Sequence, residues 1–402
     1  MTFPSDEQWA QVAAFIRDAW REGDRVLAPL EFEQRLPSVA SYRLSRLSPP
    51  TDYAWVVVHK GLLEHVDRAF VETARAELLP VLANDVFVVY TSHPDLAEVS
   101  PDDPHLQSLS GFLAQLDEHG TRTGAQPGGP FFESARDLAL VSREVLETAS
   151  RGAAQSSYLG GHTALCRTLT RYLFYVDTVD VAVAPHLLMN GCWEPWITRA
   201  VTGAVQNGDH CLDVGANHGY FAVLMADAAG PCGRVLACEP QPRLASLLRR
   251  TLAVNGLDRR VEVVERAVTD RSGDHAVLRH PAGRLGSASL FGEEGEALET
   301  ETVTIDELVA DWPRVDVVKV DVEGAEDAVW RGMRETLAAN PRITVVMECS
   351  EFRRYDAREL LARIEADGFP LRYVDTAGEV HDLPADRCLS ESPEWMLFLH
   401  RT

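Results

Sequence analysis

The sequence predicts an α/β protein in which a doubly wound, mostly parallel sheet follows a smaller mixed α/β domain. Three observations carry that expectation. From Thr202 onward, apolar strand runs alternate with helical periodicities, the pattern of a sheet covered on both faces. One of those strands, ending Cys-Leu-Asp213-Val214, breaks at Gly215 into a glycine turn and an apolar helix near Tyr220. The run from Gly120 to Pro130, Gly-Thr-Arg-Thr-Gly-Ala-Gln-Pro-Gly-Gly-Pro, has loop chemistry and separates the two parts. The expected division is an accessory α/β domain over 1–125, a linker and helical lead-in over 126–177, and the main domain over 178–402.

The elements follow in order. Ser5-Asp6-Glu7 opens an amphipathic helix through Trp20, with Trp9, Val12, Phe15 and Ile16 on one face. Residues 53–59 read as a buried strand, 62–82 as helix and 85–91 as strand. After the boundary, 131–150 reads as one helix, and a polar break follows to Gly161. The main domain shows seven strands: 211–214, 234–239, 261–264, 315–320, 343–347, 371–374 and 395–399.

Composition narrows the function classes. The 402 residues are enough for two cores. Lysine plus arginine total 38 against 61 acids, a formal charge of -23. Such a surface repels polyphosphate, so neither nucleic acid nor an anionic membrane is an expected partner. The seven cysteines are odd in number and hold no CxxC pair, which points to reduced thiols in a cytoplasmic protein and away from zinc. The polar, acidic start lacks the pattern of a signal peptide, and no apolar run is long enough to span a bilayer.

The glycine turn marks a ligand site, because backbone that touches a ligand carries no Cβ and a helix start offers free N–H groups. A dinucleotide fingerprint would need glycine at 215, 217 and 220, where this chain has Gly215, Asn217 and Tyr220. The pattern is instead Asp213-x-Gly215-x-x-x-Gly219, with an acid before the first glycine, suited to a cationic ligand without phosphate. S-adenosylmethionine fits. About twenty residues on, Glu239 ends the next strand, where a carboxylate accepts both ribose hydroxyls of an adenosine.

Asp213-Val-Gly-Ala-Asn-His-Gly-Tyr220, the Glu239-Pro240 pair, Asn255 and Val318-Lys-Val-Asp-Val-Glu-Gly-Ala-Glu326 together resemble the FkbM family of S-adenosylmethionine-dependent methyltransferases, from about Thr178 to the end. Trp193-Glu194 resembles that family's lead-in. The resemblance implies the class I methyltransferase sheet, Rossmann-like and seven-stranded, and O-methylation of a hydroxyl on a small natural product, sugar or glycosylated metabolite. One position departs: His218 stands where the family usually has an aliphatic residue.

Methyl transfer to a hydroxyl needs a base or a metal to take the acceptor's proton. Asp321, at the end of the fourth strand, and Glu348, at the end of the fifth, are the expected carboxylates, as general base or as ligands of a Mg²⁺ ion. Helix capping competes as the role of Glu323 and Glu326. His218 is the second base candidate, with packing as its equal alternative. Asn217, Tyr220 and Glu194 are expected at the donor, Ala267 near the adenine with Asp270 as a partner of its amine, and Ser287 and Ser289 in a lining loop. An N-methyltransferase, differing only in the acceptor, and a non-catalytic interaction protein that keeps the donor fold stay open beside this reading. Apolar helix faces in the accessory domain make a homo-oligomer an open possibility.

Overall fold

The structure, a computed structural model, describes residues 3–118, 131–280, 295–350, 355–384, 387 and 394–401. The chain forms two compact units, Met1–Glu133 and Ser134–Thr402. The Gly120–Pro130 run lies outside the described residues.

In the first unit, α1 (Glu7–Asp18) starts where the Asp6 side chain accepts from the Gln8 N–H, and it buries Trp9, Val12, Ala13 and Ile16. Those side chains pack on a five-stranded sheet of β1 (Val26–Leu27), β2 (Val39–Ala40), β3 (Trp55–His59), β4 (Leu79–Ala83) and β5 (Phe87–Thr91). The strand order is β2-β1-β3-β5-β4. The single helix expected over 62–82 is instead a 3₁₀ turn at 60–65, α2 (Arg68–Glu77) and strand β4. Pro80 explains the difference: it cannot sit in a helix interior, and an edge strand tolerates its missing N–H. Helix α3 (Pro104–Glu118) follows.

The second unit opens with a 3₁₀ turn at 135–140 and α4 (Arg143–Ala153), not the one continuous helix expected over 131–150. Ser134 and Ser142 each cap a new start, and Val141 between the two is extended. The polar stretch that follows is not a loop either. It is β6 (Gln155–Gly160), exposed at every position, paired with β7 (Thr163–Thr168), which pairs with β8 (Tyr172–Asp177). A strand with no buried face carries no alternation to read. Helices α5 (Ala184–Met189) and α6 (Pro195–Ala204) lead into the main sheet.

That sheet is built from β9 (His210–Val214), α7 (Tyr220–Ala229), β10 (Arg234–Cys238), α8 (Pro242–Val254) and β11 (Val261–Val264), then from β15 onward. Between them lies a small sheet of β12 (Ala267–Val268), β13 (His275–His280) and β14 (Glu296–Val303). Then come α9 (Ile305–Leu308), β15 (Val317–Val320), α10 (Glu326–Arg331), α11 (Arg334–Ala339), β16 (Thr344–Ser350), α12 (Ala357–Ala366), β17 (Arg372–Val374), β18 (Val380–Asp382) and β19 (Glu394–His400). The order is β11-β10-β9-β15-β16-β19-β17-β18. All seven expected strands lie in it, and β18 adds a short eighth at the edge. Pairing is parallel from β11 through β16, while β19, β17 and β18 run antiparallel. The strand order reverses direction around β9 and β15, so their carboxyl ends form the crevice where ligands of such sheets bind. Among the described residues no helix is long and apolar enough to cross a membrane.

Candidate functional site

The site grows from the end of β9. Gly215 has φ +88°, and a Cβ there would stand 1.9 Å from the Asp321 carbonyl oxygen. Only glycine lets the ends of β9 and β15 approach this closely. The turn is then tied to β10: the N–H groups of Gly215 and Ala216 both donate to the Cys238 carbonyl, at 3.0 and 2.9 Å. Asn217 takes φ 53° and Gly219 φ +87°, swinging the chain into α7.

This turn fixes Glu239. Its Oε2 accepts from the Asn217 N–H at 2.8 Å and its Oε1 from the Gln241 N–H at 2.9 Å. The residue is 6% exposed, and burial pushes its carboxyl up to about 7 against the two amide donors that favour the charged form. Each oxygen keeps an acceptor site after those bonds. Glu239 lines a cleft together with Gly215, Arg266, Ala267, Asp321 and Glu323.

Beneath the other end of the cleft lies a charge cluster. Asp213 and Lys319 are register partners across β9 and β15, so their side chains share a face. Lys319 is 2% exposed, donates to Asp321 Oδ2 at 3.1 Å, and sits 4.6 Å from the Phe221 ring centre. Burial pushes its ammonium down, but Asp321, Asp213 and Glu194 outweigh that and hold it up at about 12. Burial raises Asp213 to about 6, opposed by Lys319, and both of its carboxylate oxygens are buried without a hydrogen-bond partner. Glu194, in the left-handed region at φ 39°, is raised to about 7 by burial and then by Asp321. Its Oε2 is likewise buried without a partner.

Residues 213–371 match the family described as Methyltransferase FkbM domain. The turn, Glu239 and the Lys319–Asp321 pair all fall inside that FkbM segment. Among curated proteins, the protein-L-isoaspartate O-methyltransferase of Aeropyrum pernix is 46% identical over 59 residues, 15% of this chain and 23% of that protein. The enzyme of the same name from Methanopyrus kandleri is 42% identical over 57 residues, 14% of this chain and 25% of that protein. The chain thus spans about a quarter of the length of these relatives. Among solved structures, the precorrin-6y C5,15-methyltransferase of Geobacter metallireducens aligns at TM-score 0.32 and 15% identity, covering 55% of this chain and 94% of its own. An S-adenosylmethionine-dependent O-methyltransferase of Thermotoga maritima aligns at 0.31 and 16%, covering 59% and 77%.

Not every expected residue of the FkbM segment reaches the cleft. His218 is fully buried on the other side of its turn, where Nε2 accepts from the Asp177 N–H at 3.1 Å, and burial pushes its pKa down. Tyr220 directs its hydroxyl to Thr198 Oγ1 at 2.9 Å, and burial raises its pKa. Glu348 is half-buried on β16 opposite Met396 and is not a wall of the cleft. Asp270 bonds Arg331 at 2.9 Å. Glu326 caps its own loop, its Oε1 accepting from the Val322 and Gly324 N–H groups at 3.2 and 3.1 Å. Ser287 and Ser289 lie outside the described residues. Among the described residues no group of three or more His, Cys, Asp or Glu gathers to hold a metal, so a Mg²⁺ site at Asp321 and Glu348 finds no support. Three wall residues escaped the sequence reading: Arg266, two residues past the end of β11, Val268, on β12, and Leu278, on β13.

Proposed function

We propose that the second unit binds S-adenosylmethionine across the ends of β11, β10, β9 and β15 and methylates a hydroxyl of a small natural product, sugar or glycosylated metabolite. The observation that carries this reading is Glu239, a buried carboxylate fixed by two backbone amides at the cleft wall with acceptor sites left for two ribose hydroxyls. The FkbM match and the printed names of the two curated relatives, both O-methyltransferases, support the reaction class and oxygen as acceptor atom.

When bound, S-adenosylmethionine supplies a methyl group on a sulfonium that leaves as a neutral thioether. The chain's own residues do the rest. Gly215 lets the ends of β9 and β15 close together at the cleft, and Glu239 holds the ribose. Asp213, Asp321 and Glu194 outnumber the ammonium of Lys319, an excess of negative charge that suits a ligand bearing a sulfonium and an ammonium. Asp321, with 28% of its side chain exposed at the cleft wall, accepts the acceptor's proton while Lys319 holds it in place.

Calorimetric titration with S-adenosylmethionine and S-adenosylhomocysteine tests the donor site: wild type binds both, and Glu239→Ala loses them. No binding by wild type removes the proposal. For the base, Asp321→Asn should lower turnover by about 10²- to 10⁴-fold while leaving S-adenosylhomocysteine affinity within about threefold. Undiminished turnover would take the proton away from Asp321.

A further inference from the structure

The cleft is laid across four strand ends in sheet order. Arg266 and Ala267 follow β11, Glu239 follows β10, Gly215 follows β9, and Asp321 to Glu323 follow β15. Three strand spacings make this a span of about 14 Å. With the ribose on Glu239, one arm of the ligand extends toward β9 and β15 and the other toward β11. Charge decides which arm goes where. Asp213, Asp321 and Glu194 surround Lys319 on the β9 and β15 side, so the cationic arm belongs there and the neutral purine belongs at β11.

At the β11 end, Ala267, Val268 and Leu278 are buried and apolar, suited to the faces of a flat base. The acid expected at this end is not a wall of the cleft: Asp270 is held by Arg331. The charged side chain that lines it is Arg266, 36% exposed, with Nη1 3.7 Å from Glu307 Oε1. That distance is too long for a hydrogen bond and leaves the guanidinium able to reorient.

We infer that Arg266 reads the edge of the purine. The inference rests on the donor site proposed above. A carboxylate at this place would accept from the 6-amino group and so require it. A guanidinium has donors only, and addresses the acceptor nitrogens of the base. On its N7 edge a purine with oxygen at position 6 offers such a donor fork the O6–N7 acceptor pair, as guanine does to arginine, where adenine has N7 beside a donor amine. The site therefore tolerates a 6-oxo purine that an acid-lined site rejects.

The test is calorimetric titration of the full chain with S-adenosylhomocysteine and S-inosylhomocysteine. Wild type should bind the two within about tenfold of each other, and Arg266→Ala should weaken the inosyl compound by more than about tenfold and the adenosyl compound by less. Glu307→Gln separates recognition from bracing of α9: it should leave both affinities unchanged, whereas a structural role for the pair would make it copy Arg266→Ala. Rejection of the inosyl compound by wild type, or an unchanged ratio in Arg266→Ala, overturns the inference while the donor site stands. Binding of neither compound by wild type takes down both.

Discussion

Glu239 is a carboxylate kept where its charge is disfavoured. Burial raises it to about 7, and the Asn217 and Gln241 amides only partly offset this. Two ribose hydroxyls donating to it would favour the ionised form, so binding should release a proton. S-adenosylhomocysteine affinity is then expected to rise with pH through about 7 and level off above, as read by titration at pH 5.5, 7 and 8.5. Asp213 and Glu194 titrate nearby, raised to about 6 and about 7. Glu239→Gln separates their share: it should bind roughly 10- to 100-fold more weakly at pH 8 and lose most of the pH slope. A slope that survives the substitution would assign it to those neighbours. His218 belongs to the same turn but to different physics. Its Nε2 satisfies the buried Asp177 N–H. Replacing it by alanine should cost about 1–3 kcal/mol in urea unfolding, with turnover per folded molecule little changed. A fall in turnover at unchanged stability would return it to the chemistry.

Strand β15 acts as a unit: it carries Lys319 into the interior and Asp321 to the cleft wall, and its register with β9 sets Asp213 beside the ammonium. Removing the cation strands three acids in a poorly solvated place. Lys319→Met should therefore destabilise the second unit by about 3–5 kcal/mol and free Asp321 from its position, so that turnover falls although loss of the cation makes the carboxylate more basic, both measurable by urea unfolding and turnover. Stability unchanged within error would mean that the acids simply protonate. The legibility of these elements follows from burial. Strands β9, β10, β15 and β16 are buried along most of their length and read as apolar runs, while β6 and β18 are exposed at every position and carry no such signal. Gly215, Glu239 and Asp321 were readable as residues that meet at one cleft because the end of a strand dictates where they stand. Of the two roles open to His218 the structure shows packing, and Tyr220 stands away from the cleft wall, because the left-handed steps at Asn217 and Gly219 turn both from it and spacing alone does not encode a turn's hand. Arg266 was missed because a lone arginine after a strand looks like any solvated residue until the fold sets it in one cleft wall with Leu278 of β13.

At the scale of the whole molecule, the site works against the fold that holds it. Asp213, Glu194 and Glu239 are all raised by burial. A group whose folded pKa exceeds its unfolded one contributes stability that is present below the unfolded value and lost as pH rises through the folded value. For Glu239 that window runs from 4.5 to about 7. His218 and His59, pushed down by burial, act in the opposite sense over part of the same range, so the raw pH dependence of stability is a mixture. The difference between wild type and Glu239→Gln isolates one component. The glutamine imitates the protonated carboxyl, so the variant should gain on wild type by roughly 2 kcal/mol in urea unfolding between pH 5.5 and pH 8. Saturating S-adenosylhomocysteine should reverse this at pH 8, because ribose hydroxyls compensate an ionised Glu239 and give the amide little. A constant difference across pH would mean that Glu239 carries no buried charge. A difference that ligand leaves untouched would mean that the charge is there for something other than the ribose.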